Sequence, residues 1–391
     1  MQVAGYLYPW DVIGDPAAAD RVAGLGLDHV VLAAVYHGTR ALTPRHPRHR
    51  VVVADRTAAY FPVSDARWRG ATLRPEPADW LASTDPFGQA AAALRGAGVP
   101  AHAWVVFNHV DLPGTRDQNV VNAYGDVYPW ALCPAQEPVV EYGLGLASEV
   151  GALPGIDGVE LEACGWYGFD HLSAHDKVGG VPLSNAEQYL LSLCFCDACD
   201  HRYRDGGIDP VALRRQVCRA LDGRFNGEPG PSADSGTEAD QIDALLGAGL
   251  AAAVAEVRHT VADVLRVAVT DRIRSLRPEL TVLLHADPRP HGALAFTGVD
   301  PARVAGTVDG LVVSCWRGTD ALPAAVAGGG RAYASLLAVQ GLGGRPRELT
   351  EQVAAAREAG ASGVRLYHVG LAGAADLAAV RELTSRIHKG E

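Results

Sequence analysis

Eight short apolar runs rich in Val, Leu, Ala and Tyr recur along the chain, most of them followed by an Ala-rich segment with helical spacing, and this repetition limits the available folds more than any other feature. The runs are Val3 to Tyr8, His29 to Tyr36, Ala101 to Asn108, Gly158 to Glu162, Leu280 to Asp287, Gly310 to Trp316, Ala332 to Val339 and Gly363 to His368. In the last third their starts lie 30, 22 and 31 residues apart, which is room for one strand, one helix and two loops. Glycines stand where a helix must stop before the next run, in Gly24-Leu-Gly26, Gly96-Ala-Gly98, Gly155-Ile-Asp-Gly158 and Gly360-Ala-Ser-Gly363. Apolar strands joined by helices require a parallel sheet covered on both faces. Eight such units predict an α/β fold closed as a (β/α)8 TIM barrel. No G-x-G-x-x-G follows the first run, which disfavours an open dinucleotide-binding sheet.

A length of 391 residues suggests two or three domains at about 150 residues each. The spacing suggests otherwise. Residues 164–279, a stretch of 116 between the fourth and fifth runs, exceed any ordinary connection, and removing them leaves 275. That remainder is close to the roughly 250 residues of this barrel. The expectation is therefore one barrel domain over 1–391 carrying an insertion at 164–279, with a mobile loop at about 226–237 and a long helix from about Glu238 to Leu276. A smaller insertion around Pro44 to Trp80 holds Arg50-Val-Val-Val and Ala59-Tyr-Phe, which are expected to pair as a hairpin.

Composition narrows the partners. The net charge is −11, and Lys177 and Lys389 are the only lysines, so neither a nucleic acid nor an anionic membrane surface is an expected partner. The most apolar helical stretch is interrupted by Glu256, Arg258, His259, Asp263 and Arg266, and no membrane span is expected. The N-terminus reads as a strand and lacks secretory-signal features, and the seven cysteines suit reduced thiols. A cytoplasmic protein is the expectation, which could self-associate as a homo-oligomer; no organic cofactor is implied.

In such a barrel the reacting groups stand at the carboxyl ends of the strands. There the runs end in Tyr8-Pro-Trp10-Asp11, Tyr36-His37, Asn108-His109-Val-Asp111, Glu160-Leu-Glu162, His285-Ala-Asp287, Trp316-Arg317, Gln340 and Tyr367-His368. Aromatic planes suit the apolar faces of a sugar, while carboxylates, amides and imidazoles suit its hydroxyls. Trp10, Tyr36, His37, Asn108, His109, Trp166, His285, Trp316, Tyr367 and His368 are the candidate sugar contacts. Strand alternation in Gly158-Val-Glu160-Leu-Glu162 turns both glutamates inward, where a carboxylate needs a reason. Glu160, the deeper, can equally be architectural; Glu162, at the rim, is the leading catalytic candidate. Glycosidic cleavage usually needs a second carboxylate. Asp287 is the leading partner, with a turn aspartate before Pro288 as its plainer reading, and Asp111 and Asp170 are held in reserve.

Cys194-Phe-Cys196-Asp-Ala-Cys199 supplies three thiolates on one tight loop, and a structural zinc needs a fourth ligand. Cys133 is the first choice, with Cys164, His201 and Cys218 behind it. The order of Leu132-Cys133-Pro134, a strand ending in a glutamate, and then C-x-C-x-x-C resembles the β-galactosidases of glycoside hydrolase family 42. Tyr36-His37, Ala59-Tyr-Phe61-Pro62 and Asp157-Gly-Val-Glu160-Leu-Glu162 also look like barrel proteins described as glycoside-hydrolase-like. The resemblance covers about residues 1–205 and implies a four-cysteine zinc site near the catalytic centre, with Glu162 at the acid/base position. This chain departs from that family in having Leu161-Glu162 in place of Asn-Glu, and in lacking a carboxylate in Ala332-Tyr-Ala-Ser-Leu-Leu-Ala-Val-Gln340, where the family takes its nucleophile. A pairing of strands four and five, as in the α-amylase type of barrel, would instead make Glu162 the nucleophile and Asp287 the acid/base.

The sequence thus points to a glycosidase or related glycoside-processing enzyme acting on a small carbohydrate or glycoside. Two alternatives stand beside it: a non-catalytic carbohydrate-binding protein on the same fold, and a metal-dependent sugar isomerase using His285, His368 and Asp287. Schiff-base chemistry is disfavoured because no run contains a lysine, and serine-nucleophile chemistry because no G-x-S-x-G is present.

Overall fold

The structure is a computed structural model that describes residues 1–170, 176–231, 236–293 and 296–390. Each of the eight runs forms a strand: β1 (Gln2–Leu7), β2 (His29–Tyr36), β3 (Ala101–Val106), β4 (Gly158–Glu162), β5 (Thr281–Asp287), β6 (Gly310–Ser314), β7 (Ala332–Leu337) and β8 (Gly363–Tyr367). All neighbours pair in parallel, and β1 pairs with both β2 and β8, so the sheet closes on itself. Closure leaves no barrel edge unpaired. The register sets Ala4 of β1 beside His29 on one side and Arg365 on the other.

Helices cover the outside: α1 (Ala18–Ala23), α2 (Pro86–Gly96), α3 (Glu137–Gly151), α4 (Ala248–Leu276), α5 (Pro301–Val304), α6 (Leu322–Ala327), α7 (Leu349–Glu358) and α8 (Ala374–Lys389). Residues pointing out of the sheet pack beneath them, so every residue of β2 and β3 is buried. Gly98 and Gly360, at φ 81° and 92°, end α2 and α7 in the left-handed conformation that glycine adopts without a steric penalty.

Between β4 and β5 the chain adds helices at Asn185–Leu191, Asp197–Asp205, Pro210–Phe225 and Glu238–Leu246 before α4. The stretch expected as one helix from about Glu238 to Leu276 divides at Gly247, whose φ of 84° turns the two halves by 115°. A left-handed residue cannot continue a right-handed helix, and glycine tolerates that conformation at little cost. No single described helix is long and apolar enough to cross a membrane. The loop expected to be mobile at about 226–237 falls partly on 232–235, outside the described residues. After β2, Val51–Ala54 pairs with Thr39–Leu42 and not with Ala59, because Ala58–Ala59 instead adds antiparallel to the end of β2.

The barrel interior is divided. Leu283, Val312 and Tyr333 form a small apolar cluster with Phe296, whereas Tyr6, Trp104, Glu160, His285 and Arg365, from β1, β3, β4, β5 and β8, interlock as a polar group. Arg365 joins the two parts by lying over the Tyr333 ring at 4.4 Å.

Candidate active site

Alternation along β4 does what the pattern predicts. Val159 and Leu161 are buried in the main hydrophobic core, while Glu160 and Glu162 meet side chains from β1, β3, β5 and β8. Glu160 is fully buried. Its Oε1 accepts from Arg365 Nε at 2.7 Å, with His102 Nδ1 at 3.6 Å, and its Oε2 lies 3.1 Å from His285 Nε2 and 3.4 Å from the Tyr6 hydroxyl. Burial opposes its ionisation, but the Arg365 charge, with His102 and His285, outweighs that and holds the carboxyl well below the usual range. Glu160 is an anion placed where it can be fully paired.

Glu162 stands one layer higher and is 5% exposed. Trp104 Nε1 donates to its Oε2 at 2.7 Å, and His285 Nδ1 lies 3.4 Å from the same oxygen. His285 is therefore set between the two glutamates. Burial disfavours its charge, yet the contacts to Glu160 and Glu162 prevail and raise its pKa to about 8. Directly after Glu162 the backbone turns sharply: Ala163 is left-handed at φ 50°. A non-glycine residue in that region carries strain that surrounding structure must hold, a feature that clusters at functional sites.

Around Glu162 the strand ends contribute a cage of rings. Tyr36 is edge-on to Trp104 at 4.6 Å and stacks on His37 at 4.2 Å; His109 is sandwiched between His37 at 3.9 Å and Tyr167 at 4.4 Å. His37 Nδ1 lies 2.8 Å from the Gly38 carbonyl, and burial lowers its pKa. Tyr367 lies 5.4 Å from Tyr6 and 5.1 Å from Trp316, which at 42% exposure forms the open rim. His368, joined to Tyr367 by a cis peptide, stacks on Tyr8 at 4.4 Å, and burial lowers its pKa to about 3.

Not every candidate joins this cage. Trp10 is buried between Tyr8 and Tyr60. The Asn108 amide donates to the Gly165 carbonyl at 2.7 Å, tying the end of β3 to that of β4. Trp166 turns toward the insertion, donating to the Arg258 carbonyl at 2.9 Å beneath the Arg258 guanidinium. Asp287 is fully buried and held by Arg289, whose Nε and Nη2 reach its two oxygens at 2.8 and 2.5 Å. Its side-chain partners among the described residues are all on Arg289, including the backbone N–H at 2.9 Å. Of the reserves, Asp111 accepts from the Gly38 N–H at 2.8 Å, and Asp170 is half-buried with its carboxyl pushed up by burial.

Tyr6, Trp104 and Arg365 belong to the site and were missed by a reading confined to strand ends. Each lies two residues before a chosen position or its parity mate, so continuing the alternation inward would have found them.

Among the described residues, two groups bring ligand-type atoms within 4.8 Å of one another: Cys133, Cys194, Cys196 and Cys199, and His29, His102 and Glu160. The first could hold a metal. Its sulfurs lie 3.4 Å (Cys133 to Cys199) and 3.7 Å (Cys133 to Cys196) apart, far beyond a disulfide and near the edge of about 3.8 Å expected for a tetrahedron with 2.3 Å metal–sulfur bonds. Cys164 and Cys218 lie outside this group, and the Cys218 thiol donates instead to the Ala123 carbonyl at 3.6 Å. The second group has metal-like spacing, but the Arg365 guanidinium already supplies the cation that Glu160 needs.

A concavity of about 610 Å³ is lined by Tyr124, Tyr128, Trp130, Phe169 and Phe225 among others. Trp130 Nε1 donates to the Gly168 carbonyl, and Gly168 separates Phe169 from the Tyr167 of the cage.

No protein-family model and no curated protein sequence matches the chain. Solved structures do. The glycoside hydrolase domain of PgaB (BpsB) from Bordetella bronchiseptica is 16% identical with a TM-score of 0.56, covering 98% of this chain and 99% of that one. The catalytic domain of a β-amylase from Paenibacillus polymyxa is 11% identical with a TM-score of 0.59, covering 100% and 98%. A GH42 β-galactosidase from G. stearothermophilus is 10% identical with a TM-score of 0.52, and this chain, covered in full, spans 56% of its length. The chain has the barrel fold of these glycoside hydrolases.

Proposed function

We propose that the chain is a glycoside hydrolase or related glycoside-processing enzyme in which Glu162 works at the anomeric centre of a small sugar or glycoside. The observation that carries this reading is the Glu162 carboxylate, fixed at the barrel mouth by Trp104 and His285 inside a cage of aromatic rings. Rings of this kind cover the apolar faces of a pyranose, and the carboxylate stands where the strands of such barrels present their reacting groups. Asp287 remains the first candidate partner, provided a ligand releases it from Arg289. Asp170 has the surroundings of a proton donor, since burial pushes its carboxyl up.

The experiment is turnover of a panel of aryl glycosides, together with calorimetric sugar binding, by wild type, Glu162→Gln, Asp287→Asn and Asp170→Asn. Glu162→Gln is expected to lower kcat by at least about 100-fold with sugar binding retained. Equal behaviour of wild type and Glu162→Gln, with both binding sugar, would sink the enzyme reading in favour of a non-catalytic carbohydrate-binding protein. The fork of Arg289 on Asp287 is the observation that supports that second reading.

We further propose that the four cysteines hold a structural zinc that fastens the insertion to the loop before α3. Four thiolates close the coordination shell and leave no position for a substrate. Metal analysis should give about one zinc per chain, lost in Cys196→Ser with a drop in thermal stability.

A further inference from the structure

Glu160 and Arg365 are buried charges that the proposed chemistry does not use. Replacing a buried ion pair by apolar side chains is often neutral or stabilising, so stability alone does not account for one. What distinguishes this pair is its direction. Arg365 of β8 reaches Glu160 of β4 at 2.7 Å, Glu160 reaches His285 of β5 at 3.1 Å, and His285 reaches Glu162 at 3.4 Å. Charge alternates at each step, and the series ends on the residue assigned to the reaction.

The imidazole decides how the series works. Nε2 is at hydrogen-bond distance from Glu160, whereas Nδ1 stands 3.4 Å from Glu162 Oε2 without an aligned hydrogen bond, so only the charge of the doubly protonated ring, and not a second N–H···O bond, can act on both carboxylates. The other groups facing the ring leave that demand in place. The Tyr6 hydroxyl of β1, 3.3 Å from Nε2, donates toward Glu160, Phe296 stacks on the ring at 5.3 Å, and Asp287 of the same strand is neutralised by Arg289. Arg365 lies behind Glu160, with His102 of β3 on the far side of that carboxylate. Trp104 and His285 both address Oε2 of Glu162, and Oε1 is the oxygen that neither of them reaches.

We propose that Arg365, Glu160 and His285 form a column of alternating charge that fixes the Glu162 carboxylate, so that His285 is a positioning residue and Glu162 is the attacking or proton-accepting group. The role assigned to Glu162 rests on the glycosidase reading; the column does not. A group that attacks carbon or takes a proton must be an anion held in one orientation, and a cation on one of its oxygens meets both needs. As nucleophile, Oε1 bonds the anomeric carbon while the glycosidic C–O bond breaks with its electron pair to the leaving oxygen, which takes a proton from a second carboxylic acid of the mouth. As base, Oε1 takes a proton from water as that water's oxygen bonds the same carbon and the leaving oxygen is protonated in the same way. The pKa of about 8 at His285 agrees with the column.

The test uses the full-length protein. Ring ¹⁵N shifts of His285, assigned by their loss in His285→Asn, should show a doubly protonated ring at pH 7 in wild type and a neutral one in Glu160→Gln. In turnover of an aryl glycoside, His285→Asn should lower kcat about 100-fold with KM nearly unchanged, the size expected when a reacting group loses its orientation. It should also abolish the limb of the kcat/KM profile near pH 8, where the ring loses its proton. A neutral wild-type ring at pH 7 overturns the column. A doubly protonated ring with an unchanged profile in His285→Asn overturns the positioning role. A doubly protonated ring in a protein that turns over no glycoside supports the column and overturns the glycosidase reading.

Discussion

One set of side chains in the barrel interior, Trp104, Glu160, Glu162 and Arg365 with His285, reaches across from β3, β4, β5 and β8, whereas the side formed by β5, β6 and β7 also packs Leu283, Val312 and Tyr333 against Phe296. Both sets are buried to the same degree. They differ in what burial demands. An apolar side chain is satisfied by any close neighbour, so the second set tolerates rearrangement at constant volume. A buried charge is satisfied only by a partner at the right distance and angle, so each member of the first set depends on the next. That dependence gives the charged set a fixed geometry, and a fixed carboxylate is what a reaction at its upper end would use.

The contrast can be broken most forcefully at Arg365. Arg365→Met leaves Glu160 a buried anion without its guanidinium and should cost about 3–5 kcal/mol in urea unfolding, most of it recovered in the double variant Glu160→Leu with Arg365→Met. In the apolar set, Leu283→Ala should cost about 2–5 kcal/mol through the cavity it leaves, and no change of charge elsewhere should restore it. If the Arg365 and Glu160 losses simply add, the two sets do not differ in the way described.

A smaller effect separates the sets by pH. The folded value of His285, about 8, lies above the ordinary 6.5, so the folded protein holds that proton more tightly than the unfolded chain. The stabilisation is complete below about pH 6.5 and is lost as pH rises through about 8, a decline of about 2 kcal/mol that should be absent in His285→Asn. Unfolding curves collected between these limits test it. The smallest change is expected at the rim, where Trp316→Ala removes a half-exposed ring that touches Tyr367 and should cost about 1 kcal/mol of stability while weakening sugar binding measured by calorimetry.

Much of the fold could be read from local pattern. The strand runs, the glycines that end α2 and α7, and the inward parity of Glu160 and Glu162 all follow from spacing along a short stretch of chain. The break at Gly247 was missed because an Ala-rich stretch with helical spacing conceals a single residue of positive φ. Trp166 and Asn108 were assigned to sugar, yet their polar groups bind the Arg258 and Gly165 carbonyls, partners on other elements that residue type alone does not reveal.

What the sequence determined by itself is the set of elements and which residues share a face of each, because periods of 2 and 3.6 are properties of neighbouring residues. What only the tertiary structure decided is pairing at long range. Arg365 is 205 residues from Glu160, and His285 is 125. Closing eight strands into a barrel brings them to one axis. Both glutamates were legible as inward carboxylates, but their separate roles depend on what closure sets beside each: a guanidinium below, an indole above, and one imidazole between.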